Sequence, residues 1–390
     1  MSKDKSGWNK YRRGPARTTS NDMIVDIDSL GNNGEGVGRH EGQVVFVPYT
    51  LPGERVRVKP TSRKKSFIRG QVLETLKSSP DRQTPPCHYF GQCGGCDWQH
   101  LPYELQLDAK VQHLIEVLTR IGKIDHPPIK PIIASDKPFN YRNRIQGVVR
   151  NKQFHYRQRS SSELVAINNC VIAEDVINEY LDAAAFDGLD GKVEIAVNDG
   201  ELSVLPINDD NATDAGFRQV NTCVNEHLTR LLASIASEHH DKRCIDLYCG
   251  RGNWSIDMAQ RYPDTHVIGV DSSETNIGIA RDRAINAGIS NVRFQHGRVE
   301  KLLKSLPLAS SFCIVDPPRA GLDEAVCSAL CHNPPQVIVY ISCHPASLAR
   351  DLALLIQGGF KLESMTPLDM FPQTAHLETL SILEHQSSVV

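Results

Sequence analysis

The hydrophobic pattern of this 390-residue chain changes along its length, and the first patterned segment predicts a small β-barrel. From residue 22 to residue 78, short β-branched runs are broken by Gly, Pro and Asn, which is typical of strands. The predicted strands are Met23–Ile27, Gln43–Pro48, Glu54–Val58 and Phe67–Glu74. About five short strands in one such segment indicate an OB-like barrel, an architecture that often binds oligonucleotides.

The next segment, residues 80–205, mixes helical and strand-like spacing, so we expect an α+β domain. Tyr103–Ile121 places its apolar residues at helical intervals. Strand-like runs follow Pro131 at Arg144–Arg150, Glu163–Ile167 and Val193–Leu205.

From residue 206 to residue 390, apolar strands alternate with helical stretches. The predicted strands are Cys244–Leu247, His266–Val270, Val292–Gln295, Phe312–Val315 and Val337–Ile341. This rhythm predicts a doubly wound, Rossmann-like domain with a parallel sheet. The chain is therefore expected to be a multidomain α/β protein, with a disordered basic arm at 1–20, a barrel at 21–79, a central domain at 80–205 and the α/β domain at 206–390.

Composition is ordinary for a globular protein, with 40% hydrophobic and 23% charged residues. The sequence contains no run of the ~20 apolar residues that a membrane span needs. Residues 1–21 show no apolar core of a secretory signal. We therefore expect a cytoplasmic protein that does not enter a membrane.

The charge is distributed unevenly along the chain. Residues 1–80 carry 15 Lys and Arg against 8 Asp and Glu, whereas the whole chain has a net charge of −3. Three cations, Arg63, Lys64 and Lys65, follow one another between predicted barrel strands. A basic end on an otherwise acidic protein favours a polyanion such as RNA as partner, although a solvated tail beside an ordinary charged surface is the alternative.

A glycine loop, Asp246 to Asn253, follows the first α/β strand and precedes a helical stretch. Its two glycines allow a sharp turn and close approach of a ligand, and Asp271 ends the next strand, where it could accept ribose hydroxyls. Ser255 stands where a pyrophosphate-binding GxGxxG would have its third glycine. A cofactor without pyrophosphate is therefore favoured, and S-adenosylmethionine fits.

The fourth strand ends at Asp316-Pro317-Pro318-Arg319, where α/β folds place their sites. Many base N-methyltransferases instead use an Asn-Pro-Pro-aromatic loop to hold an exocyclic amine, so this sequence argues against that chemistry. A plain proline-stiffened turn is the alternative.

Cys343 ends the fifth strand, directly before a helix predicted for residues 345–358. The positive end of that helix is expected to favour the thiolate, although a buried structural cysteine is the general alternative. A thiolate that adds to carbon 6 of uracil makes carbon 5 nucleophilic toward a sulfonium methyl group. A base must then remove the carbon-5 proton, and Glu378, in a late apolar strand, is the candidate.

A separate group of cysteines lies in the central segment. Cys87, Cys93 and Cys96 have the spacing C-x5-C-x2-C, and Cys170 could supply a fourth ligand. Four thiolates suit Zn²⁺ or an iron–sulfur cluster, and spacing alone leaves both open.

Taken together, these motifs resemble the RNA uracil-5-methyltransferases, specifically the RumA type that modifies 23S ribosomal RNA. The resemblance covers residues 22–385. Gly34–Pro60 looks like a TRAM domain, an RNA-binding module, and Phe217–Asn221 looks like the family's entry motif.

The resemblance implies roles for individual residues of this chain. Cys343 would be the nucleophile and Glu378 the base, and a [4Fe–4S] cluster would be held by Cys87, Cys93, Cys96 and Cys170. The residues implied to line the S-adenosylmethionine site are Gln219, Tyr248, Asn253, Asp271 and Asp316. No obligate protein partner is implied.

Three positions depart from the family pattern. Asp271 stands where Glu is frequent, His344 replaces a common Asn after the nucleophile, and Arg298 occupies the place of a small polar residue that often contacts adenine. Methylation of a tRNA T-loop uridine is the near alternative to ribosomal RNA. A noncatalytic RNA-binding or assembly factor is the alternative from another class.

Overall fold

The structure is a computed structural model that describes residues 22–198, 200–207, 219–239 and 243–386. The chain forms two compact units, Met1–Gln83 and Thr84–Val390. The basic arm predicted for residues 1–20 lies outside the described residues. Within the described ranges, no helix has both the length and the apolar character needed to cross a membrane.

The first unit is a closed five-stranded barrel, as predicted. The strands are β1 Met23–Leu30, β2 Gly36–His40, β3 Gln43–Val47, β4 Arg55–Arg63 and β5 Phe67–Lys77. Their order around the barrel is β1-β2-β3-β5-β4. Buried and exposed residues alternate along β1 and β4, so every second side chain fills the interior, where Val45, Val56 and Val58 are fully buried.

The second unit begins with the predicted long helix and a five-stranded antiparallel sheet. The elements are α1 Tyr103–Arg120, β6 Arg144–Arg150, β7 Gln153–Arg157, β8 Leu164–Ala166, α2 Asp175–Asp182, β9 Gly191–Asn198 and β10 Glu201–Pro206. The sheet order is β10-β9-β6-β7-β8. The run predicted as one strand, Val193–Leu205, is a hairpin, because the chain turns at Gly200 with a φ of 82°.

The remaining residues build a seven-stranded sheet with helices around it. The elements are α3 Thr222–His239, β11 Arg243–Leu247, α4 Asn253–Arg261, β12 His266–Asp271, α5 Glu274–Asn286, β13 Val292–His296, α6 Val299–Leu302, β14 Phe312–Val315, α7 Glu324–His332, β15 Val337–Ser342, α8 Pro345–Gln357, β16 Phe360–Leu368 and β17 Glu378–His385. The strand order is β13-β12-β11-β14-β15-β17-β16.

Five of these strands are parallel and correspond to the five predicted ones. The two C-terminal strands form an antiparallel hairpin, and β17 pairs antiparallel with β15. The prediction of a Rossmann-like parallel sheet is therefore confirmed, and the hairpin extends it. Helix α1 contributes Leu114 and Leu118 to the same core as Leu348 and Leu352 of α8, so the central segment packs directly against the parallel sheet.

Candidate active site

Four strand ends meet at one edge of the seven-stranded sheet. In the order β12-β11-β14-β15, they lead into Asp271, the glycine loop after Leu247, Asp316 and Cys343. The carboxyl ends of parallel strands share one edge, so residues that are far apart in sequence become neighbours there.

The glycine loop bends through three residues in the left-handed region, Tyr248 with φ 65°, Gly250 with φ 54° and Gly252 with φ 77°. Asp271 supports this loop, because its Oδ2 accepts a hydrogen bond of 3.0 Å from the backbone N–H of Gly250. Its Oδ1 accepts from the N–H of Ser273 at 2.8 Å. The acid at the end of β12 thus holds the glycine loop in its conformation.

Asp246 does not face a ligand, since its side chain is completely buried. Its Oδ2 accepts a hydrogen bond of 2.5 Å from the hydroxyl of Ser255 on α4. Burial raises the pKa of Asp246 to about 7. Ser255, in place of a third glycine, therefore links the helix to the strand, and a glycine there would remove the hydroxyl donor of this carboxyl group.

Gln219 lies next to the antiparallel sheet, where the side-chain N–H of Asn143 donates to its backbone carbonyl at 3.2 Å. Its side-chain Oε1 is buried and has no hydrogen-bond partner among the described residues. Asn253 begins α4, and its side chain is exposed. The preceding residues of the predicted entry motif, Phe217 and Arg218, lie outside the described part of the chain.

Cys343 is half-buried between β15 and α8. The pKa of its thiol is raised to about 12, mainly by burial and also by the carboxyl groups of Glu378 and Asp316, whereas the guanidinium of Arg319 lowers it. The expected effect of the helix N-terminus, which favours the thiolate, is therefore opposed by burial and by two carboxyl groups. Desolvation and two carboxyl groups outweigh the favourable charges, because a thiolate in this place is poorly solvated.

Glu378 begins β17 and faces the interior of the site. Thr379 pairs with Ser342 in the antiparallel register. The next residue on each strand is Glu378 or Cys343, so these two residues lie opposite each other. Glu378 is 1% exposed, and its Oε2 has no hydrogen-bond partner among the described residues. Burial, followed by the nearby carboxyl group of Asp316, raises its pKa well above the usual range for glutamate.

Asp316 completes this acidic pair. Burial raises its pKa to about 6, and a hydrogen bond of 3.3 Å from the indole N–H of Trp254 to its Oδ2 lowers it. Two neighbouring buried carboxyl groups disfavour double ionisation, so the pair holds a proton more readily than either group would in water.

Arg319 brings a positive charge to the site. Its Nη2 lies 3.3 Å from Nδ1 of His376, two residues before Glu378. Burial, followed by the charge of Arg319, lowers the pKa of His376 to about 4. The neutral imidazole can therefore accept a hydrogen bond from the guanidinium and hold it near Cys343.

The four cysteines of the central segment come together although one of them is remote in sequence. Burial raises the pKa of Cys96 above its usual range, and the thiols of Cys170, Cys93 and Cys87 raise it further. Across the described ranges, no three His, Cys, Asp or Glu side chains are arranged so that they could hold a metal ion. The thiols are therefore neighbours, but they do not form a ligand set in this conformation.

Comparisons with known proteins identify the family of this chain. The family model described as tRNA (uracil-5-)-methyltransferase matches residues 195–386, and the TRAM domain model matches residues 22–73. An RNA methyltransferase of Thermosynechococcus vestitus is 33% identical, and the match covers 92% of this chain and 96% of the relative. A 23S rRNA (uracil(1939)-C(5))-methyltransferase of Chromohalobacter salexigens is 32% identical, with 96% of this chain and 92% of the relative covered. The chain belongs to the RNA uracil-5-methyltransferase family.

This uracil-5-methyltransferase also shares its fold with a solved structure. That structure is the tRNA (uracil-54, C5)-methyltransferase of Pyrococcus abyssi in complex with S-adenosyl-L-homocysteine, at a TM-score of 0.71 and 23% identity. The similarity covers 93% of this chain and all of the other. Both the barrel and the Rossmann-like domain are thus supported as family features, and the chain is an RNA methyltransferase.

Several residues of the uracil-5-methyltransferase site were not predicted as such. Trp254 and His376 contact Asp316 and Arg319. Arg319 belongs to the Asp316-Pro317-Pro318-Arg319 loop, but the sequence of that loop gives no role for the arginine. An aromatic residue and a histidine in apolar surroundings look like core residues in the sequence, and only their partners show that they support the site.

Proposed function

We propose that this RNA methyltransferase transfers the methyl group of S-adenosylmethionine to carbon 5 of a uridine in 23S rRNA. The observation that carries the proposal is the position of Cys343 beside Glu378, at the same sheet edge as the glycine loop. A nucleophile, a proton acceptor and a cofactor loop in one place are what methylation of an unactivated pyrimidine carbon requires.

In the proposed reaction, the thiolate of Cys343 adds to carbon 6 of the uracil. This addition converts the carbon 5–carbon 6 double bond into an enolate, and carbon 5 of the enolate attacks the sulfonium methyl group. The bond between the methyl group and sulfur breaks, and S-adenosylhomocysteine leaves. The carboxylate of Glu378 takes the proton from carbon 5, the double bond forms again, and the thiolate is released. Arg319 stabilises the thiolate, because it is the cation that lowers the pKa of Cys343.

The proposed cofactor site combines the glycine loop with its neighbours. Asp271 would accept hydrogen bonds from the ribose hydroxyls. The Oε1 of Gln219, which has no hydrogen-bond partner among the described residues, would accept a hydrogen bond from the cofactor or the target uracil. The full proposed set is Gln219, Tyr248, Asn253, Asp271 and Asp316. Support comes from the shared sheet edge and from the family to which the chain belongs.

The choice of 23S rRNA rests on the relatives named for that activity, which match along almost the whole chain. The barrel adds exposed cations at Arg63, Lys64 and Lys65, which suit an RNA backbone. A tRNA uridine is the second candidate, because the matching family model and the solved structure carry tRNA in their names. A noncatalytic role is disfavoured by the joint presence of Cys343 and Glu378.

The test is to map 5-methyluridine in total RNA from cells that have or lack this gene. We expect one position of 23S rRNA to lose the methyl group, and expression of the wild-type protein to restore it. Cys343→Ala should not restore it, whereas Cys331→Ala, a cysteine on α7, should. Loss confined to tRNA would select the second candidate, and unchanged RNA would refute the enzymatic proposal.

A [4Fe–4S] cluster held by Cys87, Cys93, Cys96 and Cys170 is a separate proposal. It is supported by the convergence of four mutually interacting thiols, although their present arrangement is not that of a metal site. When bound, such a cluster would brace the central segment, and no step of methyl transfer needs it. Anaerobically purified protein should contain iron and sulfide, and Cys170→Ser should lower both; one zinc per chain would contradict the proposal.

The division at residue 205 between a central and a catalytic domain, and the cytoplasmic location, stay predictions.

A further inference from the structure

The residue after the proposed nucleophile, His344, caps helix α8. Its Nδ1 accepts a hydrogen bond of 3.3 Å from the backbone N–H of Ser347, and its backbone is extended with φ −138° and ψ 99°. Helix caps are commonly Ser, Thr, Asp or Asn, whose acceptors do not lose their lone pairs near neutral pH. An imidazole in this place makes the cap depend on the protonation of one ring nitrogen.

The side chain of His344 contacts Ser347, and Ser347 connects this turn to the loop that ends at Arg319. The hydroxyl of Ser347 lies 3.0 Å from Nδ1 of His344 and donates at 3.0 Å to the backbone carbonyl of Arg319. On the other side, the N–H of His344 donates at 3.2 Å to the hydroxyl of Ser342. Cys343 lies between these two contacts, so the turn that carries the thiol is held from both ends.

The surroundings of His344 oppose a positive charge on the ring. Burial lowers its pKa, and the guanidinium groups of Arg319 and Arg350 lower it further. His113 of α1 lies close enough for the charge of His344 to lower the pKa of His113. A protonated Nδ1 would meet the N–H of Ser347 donor against donor, at the positive end of a helix of 13 residues.

We propose that His344 is a positioning residue for the Cys343 turn and that it works only as the neutral imidazole. The proposal rests on the proposed role of Cys343 as nucleophile. The contribution of His344 is complete above the pKa of the ring, which lies below the usual value of about 6.5 for histidine. It is lost as the pH falls through that pKa, because protonation removes the cap and releases the turn.

The test compares wild-type protein with His344→Asn, which keeps an acceptor for the N–H of Ser347 but does not titrate. Single-turnover methylation of an RNA fragment that contains the target uridine is measured from about pH 5 to about pH 8. Both proteins keep Cys343 and Glu378, so the ratio of the two rates isolates the effect of the substituted side chain. We expect the ratio of the wild-type methylation rate to that of the variant to be near one at the alkaline end of this pH range. The ratio should fall about tenfold once His344 is protonated.

His344→Ala removes the acceptor at every pH and should lower kcat roughly tenfold while the KM for RNA is unchanged. The matched control is Asp323→Ala, which removes the cap of α7 by deleting the acceptor for the N–H of Ala325. This control should lower the melting temperature, yet its rate ratio to wild type should not change with pH. A pH-independent ratio for His344→Asn, or full activity of His344→Ala, would overturn the proposal.

A second measurement separates this proposal from the proposed function. The rate at which iodoacetamide alkylates Cys343 is followed by mass spectrometry across the same pH range. We expect the ratio of the alkylation rates of wild-type protein and His344→Asn to depart from one over the pH interval in which His344 protonates. Absence of methyl transfer by the wild-type protein to any RNA would refute the function, whereas a constant alkylation ratio would refute the positioning role.

Discussion

At the scale of the residue, burial controls the chemistry of the site. It is the largest cause of the raised pKa values of Cys343, Asp316 and Glu378. In the proposed reaction, the thiol of Cys343 and the carboxyl group of Glu378 must lose their protons before addition and proton abstraction, and Arg319 favours the ionised thiol.

Glu378→Gln is expected to separate the two halves of the reaction. The amide cannot accept the carbon-5 proton, so the methylated adduct between Cys343 and RNA should accumulate while turnover falls at least about 100-fold. The adduct is measured as protein-linked labelled RNA on a denaturing gel. Cys343→Ala should form no such adduct, and rapid product release by Glu378→Gln would remove this residue from the role of base.

At the scale of the element, a buried ion pair connects α1 to the segment that follows β16 of the seven-stranded sheet. Nζ of Lys110 lies 2.5 Å from Oδ1 of Asp369, which follows β16, and both side chains are completely buried. Nζ also donates to the carbonyl of Phe371 at 3.0 Å. The segment between β16 and Glu378 is therefore positioned by a helix that lies more than 200 residues earlier in the sequence.

Lys110→Met should destabilise the protein by about 3–5 kcal/mol, because the carboxylate of Asp369 would remain buried without its partner. The free energy of unfolding is measured by urea denaturation. Lys361→Met serves as the control, since Lys361 forms an ion pair with Glu363 in an exposed place and should hardly affect stability. Equal effects of the two substitutions would contradict the importance of the buried pair.

At the scale of the whole molecule, the chain comprises two compact units with separate cores. The barrel core contains Val45 and Val58, whereas Val339 lies in the core of the parallel sheet. Units that have their own cores can open independently, with free energies that differ between them.

Val45→Ala should therefore lower the free energy of barrel opening by about 2 kcal/mol and leave residues 84–390 as protected as before. Val339→Ala is the reciprocal control, since it should weaken only the second unit. Amide hydrogen exchange read by mass spectrometry gives the protection of each segment. Loss of protection in both units after either substitution would show that they unfold together.

The hydrophobic pattern alone determined the type of most elements. Four of the five barrel strands, α1 and the five parallel strands follow from local periodicity, whereas β2, with its two glycines, was not located. The positions of Cys343 and Asp316 at strand ends follow from their places after apolar runs. The antiparallel hairpin of β16 and β17 was not predicted in full, because an apolar strand looks the same in either direction. The turn at Gly200 was missed for a similar reason, since the apolar spacing continues on both sides of it.

Only the tertiary structure decided the protonation and the partners of the site residues. The sequence places a helix N-terminus beside Cys343, which favours a thiolate, but it does not show that two carboxyl groups and a desolvated pocket lie against the same sulfur. It shows a histidine after the nucleophile, but not that this ring caps α8 and contacts Ser347, whose hydroxyl donates to the carbonyl of Arg319. Local spacing determines whether a residue belongs to a helix, a strand or a loop. The pKa of its side chain depends on every group that folding brings within a few ångströms.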